Sequence, residues 1–187
     1  MTITKTAIEG LKIIEPRVFG DDRGYFYESY NANTFREAGI ENIFVQDNQS
    51  ASVKGVLRGL HYQRPPYAQA KLVRVLEGEV LDVAVDIREG SPTYGQWHSI
   101  RLSGENKKQF FVPRGFAHGF LTLSDRAVFA YKCDNFYNKE SEGGLRYDDP
   151  AIGIDWEVDV NQVILSDKDK VLPKFGAHLK FIKAVIK

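Results

Sequence analysis

The stretch Arg58-Gly59-Leu60-His61-Tyr62-Gln63 places a guanidinium three residues before an imidazole. A neutral imidazole accepts a proton near pH 7, and a guanidinium holds a phosphate through a planar fork of donors. Set on the inner wall of a small β-barrel, the pair forms half of a site that deprotonates a phosphate-bearing substrate. Lys71 follows eight residues after Gln63, and a second histidine, His118, ends the run Pro113-Arg114-Gly115-Phe116-Ala117-His118. Tyr131 lies between Phe129 and Cys133 at the spacing that puts all three on one strand face. If that face is inward, the phenol is a proton donor facing His61. Asp167, in Leu165-Ser166-Asp167-Lys168-Asp169, offers a carboxylate for the far nitrogen of His61, which would fix its tautomer and raise its basicity. Taken alone, each side chain also suits a plainer role: a core histidine on a carbonyl, a solvated lysine, a core tyrosine, a surface cap. Together they point elsewhere, because an inward lysine needs an anion or a developing negative charge to offset its desolvation. Arg23, followed by Tyr25, Phe26 and Tyr27, could hold a phosphate and stack on a nucleobase, or belong to an ordinary aromatic-rich strand. His98 and His178 lack such companions and read as structural or exposed.

The elements that must position these groups are strands. In Val80 to Ile87 the apolar residues 81, 83, 85 and 87 alternate with Asp82 and Asp86, the pattern of a half-buried strand. Leu72 to Leu76 reads as the strand before it, with Glu77-Gly78 at a tight turn, and Gln109 to Val112 and Ala127 to Cys133 read as further strands. Gly and Pro punctuate the intervals. Many short strands of this kind imply a sandwich or barrel, an all-β fold with a few short helices. One helix is expected over Asn33 to Ala38, capped by Asn33 and closed by Gly39, and a turn or two over Asn161 to Lys170. Leu179 to Ile186 is apolar with interspersed lysines and fits either an edge strand or a tail.

The totals narrow the function classes. A chain of 187 residues, 43% hydrophobic, suits one domain with a single core. Lys+Arg and Asp+Glu both total 25, without the basic excess of a non-specific nucleic-acid binder, so an anionic partner must be met by a local cluster. The single cysteine, Cys133, excludes an intramolecular disulfide and fits a reducing cytoplasm. No signal peptide and no membrane-spanning helix are expected from the apolar runs.

Two resemblances follow. Gly55 to Gln63, Lys71, Gly78 and Pro113 to His118 are similar to the two motifs of the cupin superfamily, whose usual metal ligands are three histidines and a glutamate. Here Gln63 stands at the second histidine position and Lys71 at the glutamate position. An ammonium cannot ligate a cation and repels one, which speaks against a metal site. More closely, the chain resembles the dTDP-4-dehydrorhamnose 3,5-epimerase family, from about residue 3 to Phe175. The matching pieces are Phe19 to Gly24, Phe44 to Asn48, Gly55 to Gln63, Gln69 to Val73, Asp82 to Ile87, Pro113 to Gly119, Tyr131 to Cys133 and Leu165 to Asp169.

The resemblance implies a cupin-like jelly roll over residues 1–187, with 176–187 as an extension beyond the usual family end. It implies His61 as base, Tyr131 as acid, Lys71 beside the keto oxygen and Asp167 paired with His61. It assigns Arg23, Glu28, Gln46, Asp47, Asn48, Arg58, Lys71, His118, Glu142 and Lys168 to substrate binding, with Tyr137 as a further aromatic near the nucleotide. The expected partners are a dTDP-sugar and a second copy of the chain, in a homodimer with exchanged N-terminal strands that present Arg23 and Glu28 to the neighbour. No cofactor, metal, nucleic acid or membrane is expected, and the location is cytoplasmic. An enzyme epimerising only one carbon, a metal-dependent cupin oxygenase and a non-catalytic sugar-nucleotide binder are the competing readings.

Overall fold

The protein is described here by a computed structural model covering residues 1–181. Its first sheet has six strands in the order β1 (Thr2–Lys5), β2 (Lys12–Glu15), β10 (Gln109–Val112), β7 (Lys71–Glu77), β12 (Arg126–Cys133) and β5 (Gln46–Val53). The second has five, in the order β13 (Glu142–Gly144), β6 (Leu57–Gln63), β11 (Phe116–Thr122), β8 (Glu79–Asp86) and β9 (Trp97–Ser103). A separate ribbon pairs β3 (Phe19–Asp21) with β4 (Gly24–Phe26). Within both sheets the strands pair antiparallel, and the sheets face each other as a sandwich.

Alternation along the strands sorts the side chains into layers. Val73 and Val75 of β7, Phe110 of β10, Phe129 of β12, Val80 and Ala84 of β8 and Phe120 of β11 form the core between the sheets. The opposite faces of β6, β8 and β11, carrying Leu57, Leu60, Tyr62, Leu81, Val83, Val85 and Leu121, are covered by Leu145, Ile152, Trp156 and Phe181 from the C-terminal segment. The outer face of the first sheet receives α1 (Ala32–Glu37), whose Phe35 packs with Ile14, Leu72 and Phe111.

The strand β8 is therefore not half-buried as its alternation suggests. Both faces are covered, and Asp82 and Asp86 are fully buried. Their polarity is satisfied inside: Asp82 accepts from the His118 ring, and Asp86 accepts from Arg88, Ser91 and Thr93. Buried carboxylates with partners produce the same period-two pattern as solvated ones.

The expected helix forms one residue earlier than read. Asn31, not Asn33, is its cap, accepting from the backbone N–H groups of Asn33 and Thr34, while Gly39 closes it at φ +72°. Near the C-terminus, α2 spans Asp167–Lys170 and a single 3-10 turn spans Val160–Gln162. In the segment from Leu179 to Ile186, Phe181 makes one parallel bridge to Arg88 and the Leu179 carbonyl accepts from the Tyr62 hydroxyl, while residues 182–187 lie outside the described residues.

One irregularity decides what faces the interior. His118 and Phe120 of β11 pair with His61 and Arg58 of β6, so three residues on β11 (118–120) oppose four on β6 (58–61). This bulge shifts the alternation and lets Arg58 and His61, an odd number apart, line the same interior cavity. Gly59 sits in the bulge at φ +127°, and a Cβ there would lie 2.7 Å from the Gly119 Cα and 2.9 Å from the His118 carbonyl oxygen. Gly59→Ala is expected to destabilise the protein by about 2 kcal/mol or more in urea unfolding. An unchanged unfolding midpoint would show that the bulge tolerates a side chain.

Candidate active site

The interior between the sheets opens into a cavity of about 580 Å³ lined by Arg58, His61 and His118 from the second sheet and by Asn48, Lys71 and Tyr131 from the first. A neighbouring cavity of about 300 Å³ shares Asn48, His61, Lys71 and Tyr131 and extends past Gln46, Gln63, Gln69, Tyr137 and Glu142. The four shared residues mark the junction of the two spaces.

His61 Nε2 lies 2.5 Å from Asp169 Oδ1. Burial favours the protonated carboxyl of Asp169, but the His61 bond and charge, together with bonds from Ser166 and the Gly59 backbone, prevail and hold it below the ordinary carboxylate range. Asp169 is thus an anion that accepts from His61 Nε2–H, which leaves Nδ1 as the lone-pair nitrogen available to take a proton. The expected partner, Asp167, is two residues away and faces solvent; its side chain is 99% exposed and paired with Lys170. The local cause is the start of α2. Ser166 caps it by accepting from the Asp169 N–H, so Asp169 is the third helical residue and Asp167 the first. The pattern Ser-x-x-Asp is a capping box, whose third-residue carboxylate turns back toward the helix start. In this protein it turns to His61. That signal was present in the sequence and identifies Asp169 over Asp167.

Lys71 enters from β7, its Nζ 5.7 Å from the centre of the Tyr131 ring. Burial pushes the ammonium below the ordinary lysine range, with Cys133, Asp82 and Glu142 acting the other way. Each nearby carboxylate already has another partner. Asp82 accepts from His118 Nε2 at 2.9 and 3.0 Å, Glu142 is paired with Lys168, and Asp169 with His61. Tyr131 shares its face with Phe129 and Cys133, as their spacing implies. Burial and Cys133 raise the phenol's pKa, and Arg58 lowers it. Burial likewise pushes the Cys133 thiol up to about 11, so it remains neutral.

The remaining expected residues divide into two groups. Gln46, Asn48, Arg58, His118, Glu142 and Lys168 line the cavities, and Tyr137 borders the smaller one, where its hydroxyl donates to Glu142 at 3.4 Å. Arg23, Glu28 and Asp47 do not line these two cavities. The Arg23 side chain is 90% exposed and pairs with Asp21, Glu28 accepts from Asn31, and Asp47 lies on the opposite face of β5, paired with Lys132. Gln63, at the superfamily's metal-ligand position, uses its side-chain oxygen to accept from the Asn138 N–H. Among the described residues no group of three or more His, Cys, Asp and Glu is arranged to hold a metal ion. Asp82 was missed because its place on an alternating strand read as solvent-facing.

The arrangement can therefore abstract a proton with His61, place a cation beside an oxygen on which charge develops, and return a proton from Tyr131 on the opposite sheet. The chain matches the family model for dTDP-4-dehydrorhamnose 3,5-epimerase over residues 5–177. It is 57% identical over 170 residues to the dTDP-4-dehydrorhamnose 3,5-epimerase of Shigella flexneri, covering 90% of this chain and 93% of that one. The crystal structure of the enzyme of that name from Elizabethkingia anophelis superposes with a TM-score of 0.90 at 57% identity, over 94% of this chain and 97% of the other. A dTDP-6-deoxy-D-glucose-3,5-epimerase from Legionella pneumophila, solved in complex with dTDP-4-keto-L-rhamnose, gives a TM-score of 0.90 at 56% identity, over 94% and 93%. Sequence and fold agree, and the chain belongs to the dTDP-4-dehydrorhamnose 3,5-epimerase family.

Proposed function

We propose that the protein epimerises carbons 3 and 5 of dTDP-4-dehydro-6-deoxy-D-glucose to give dTDP-4-dehydro-L-rhamnose, with His61 as base, Tyr131 as acid and Lys71 as the cation at the keto oxygen. The observation that carries this reading is the placement of His61 and Tyr131 on facing sheets around one cavity that Lys71 also lines. The 4-keto group acidifies the hydrogens on both neighbouring carbons. His61 Nδ1 takes one of them, the electron pair moves onto the keto oxygen, and the Lys71 ammonium offsets that charge. Tyr131 then gives its proton to the carbon from the other face, the enolate collapses to the ketone, and the centre is inverted. Solvent restores both side chains before the second centre reacts. Only protons move, so the oxidation level of the sugar is unchanged and the chemistry asks for no cofactor. Asp169 steadies the imidazolium that forms on His61.

His118 and Lys168 bring positive or hydrogen-bonding edges to the larger cavity and suit the diphosphate, while Tyr137, 53% exposed beside the smaller one, suits the nucleobase. A homodimer is part of the proposal. The ribbon β3–β4 leaves Phe19, Tyr25 and Phe26 more than half exposed, and Arg23 and Glu28 lie in and beside it. Because β1 and β2 are already paired within their own chain, this ribbon is the element placed to deliver those side chains to a neighbour's nucleotide. The free thiol of Cys133 accords with a cytoplasmic location.

In deuterated water, His61→Ala is expected to abolish exchange of the substrate's carbon-bound hydrogens, followed by proton NMR. Tyr131→Phe is expected to retain exchange while failing to invert one centre. Full exchange in the first variant, or inversion at both centres in the second, would remove the corresponding assignment. Asp169→Asn should lower kcat by roughly a hundredfold or more, the cost of a histidine held in the wrong tautomer. Asp167→Asn should leave kcat within about twofold, since its carboxylate is solvated. A reversed order would restore Asp167 as the partner of His61.

A further inference from the structure

Arg58 is held from across the sandwich. It belongs to β6 of the second sheet, yet its Nε donates to Ser52 Oγ at 3.0 Å and its Nη2 to the Ala51 carbonyl at 3.3 Å, and both acceptors lie on β5, the edge strand of the first sheet. Ser52 is buried, 7% exposed, and opposite Ala127 in the register, on the inward face of β5. One edge of the guanidinium is therefore committed to β5. Among the described residues its remaining nitrogen, Nη1, donates to no protein acceptor, and the side chain lines the same cavity as Tyr131. Without Ser52 the Nε–H loses its side-chain acceptor, and the long arginine chain regains rotamers that point elsewhere.

The charges around Tyr131 show why this position matters. Lys71 faces it from β7, His61 and Arg58 from β6, His118 from β11 and Cys133 from its own strand; α2 brings Lys168, paired with Glu142, and Asp169, paired with His61, while β5 presents the neutral Asn48 and Ser50. Cys133 is neutral, and burial is what chiefly disfavours a phenolate. During the proposed reaction Lys71 is engaged by the keto oxygen and His61 holds the abstracted proton. Arg58, which lines the cavity beside the phenol and lowers its pKa, is then a cation placed to meet the charge on Tyr131. We infer that Ser52 is a positioning residue: by accepting from Arg58 Nε it holds the guanidinium at the phenol side of the cavity, where it offsets the negative charge left when Tyr131 delivers its proton to carbon. This role rests on the epimerase reading for its purpose, but the Ser52–Arg58–Tyr131 coupling itself needs no substrate.

The test is a titration of protein labelled with [13Cζ]tyrosine, the Tyr131 resonance being the one absent from Tyr131→Phe. Ser52→Ala is expected to move the Tyr131 titration to higher pH by roughly half a unit or more, as loss of a nearby cation requires. Arg58→Gln should shift it in the same direction, and Ser52→Thr, which keeps the hydroxyl, should match the wild type. In turnover, Ser52→Ala should lower kcat roughly tenfold with KM within about twofold, because the lost interaction acts on the transition state. Ser52→Thr should restore it. An unmoved titration in Ser52→Ala, or a Ser52→Thr variant that behaves like Ser52→Ala, would overturn the role. If the wild type exchanges no substrate hydrogens while the titration shifts as stated, the epimerase reading fails and the coupling stands.

Discussion

A cation inside a β-sandwich is the constraint around which this structure is arranged. Lys71 projects from the middle of the first sheet into the space between the layers, and burial works against its charge. The simplest remedy would be a carboxylate beside it, and three lie in or around the cavity. Each is bound elsewhere: Asp82 to His118, Asp169 to His61 and Glu142 to Lys168. The protein thus keeps these anions occupied, and in the proposed mechanism the ammonium meets a charge that arises only during the reaction. A lysine held this way weakens the fold and strengthens a transition state, the trade expected where stability and activity compete.

The rest of the architecture serves the surroundings of that cation. The bulge at Gly59 turns Arg58 and His61 to one cavity. The C-terminal segment has two tasks. It covers the outer face of the second sheet with Leu145, Ile152, Trp156 and Phe181, and it brings α2 to the cavity mouth so that Asp169 meets His61. Tyr62, the residue after His61, faces the other way and donates its hydroxyl to the Leu179 carbonyl. The strand that carries His61 is therefore held on both faces, one polar and one apolar, which limits the orientations open to the imidazole.

Much of this was legible in the chain. The shared face of Phe129, Tyr131 and Cys133 follows from period two, and the strand Gln109–Val112 has the boundaries that were read. The residues around the cavity were named mainly through motifs that resemble a known family, because strands from distant parts of the sequence meet there and spacing alone cannot pair them. The departures have physical causes. Asp82 and Asp86 looked solvated because a period-two pattern does not reveal a second covering layer. The Arg58–His61 pairing requires a bulge, which no alternation predicts. Asp167 and Asp169 flank Lys168 alike in the sequence, and it is the Ser166 cap of the folded helix that turns Asp169 inward and leaves Asp167 in solvent. The Ser52 contact crosses between sheets and leaves no local trace in the sequence.

The central claim is that Lys71 is kept as a charge for the reaction at a cost to the folded state. Thermal unfolding of Lys71→Met at pH 7, measured beside turnover of the keto sugar nucleotide, tests it most directly. A folded-state pKa below the unfolded value means that at neutral pH this lysine disfavours folding, so its removal should raise Tm. Turnover should fall by roughly a hundredfold or more, the scale of losing one preorganised electrostatic partner. A variant that melts below the wild type, or one that keeps its turnover, would contradict the account.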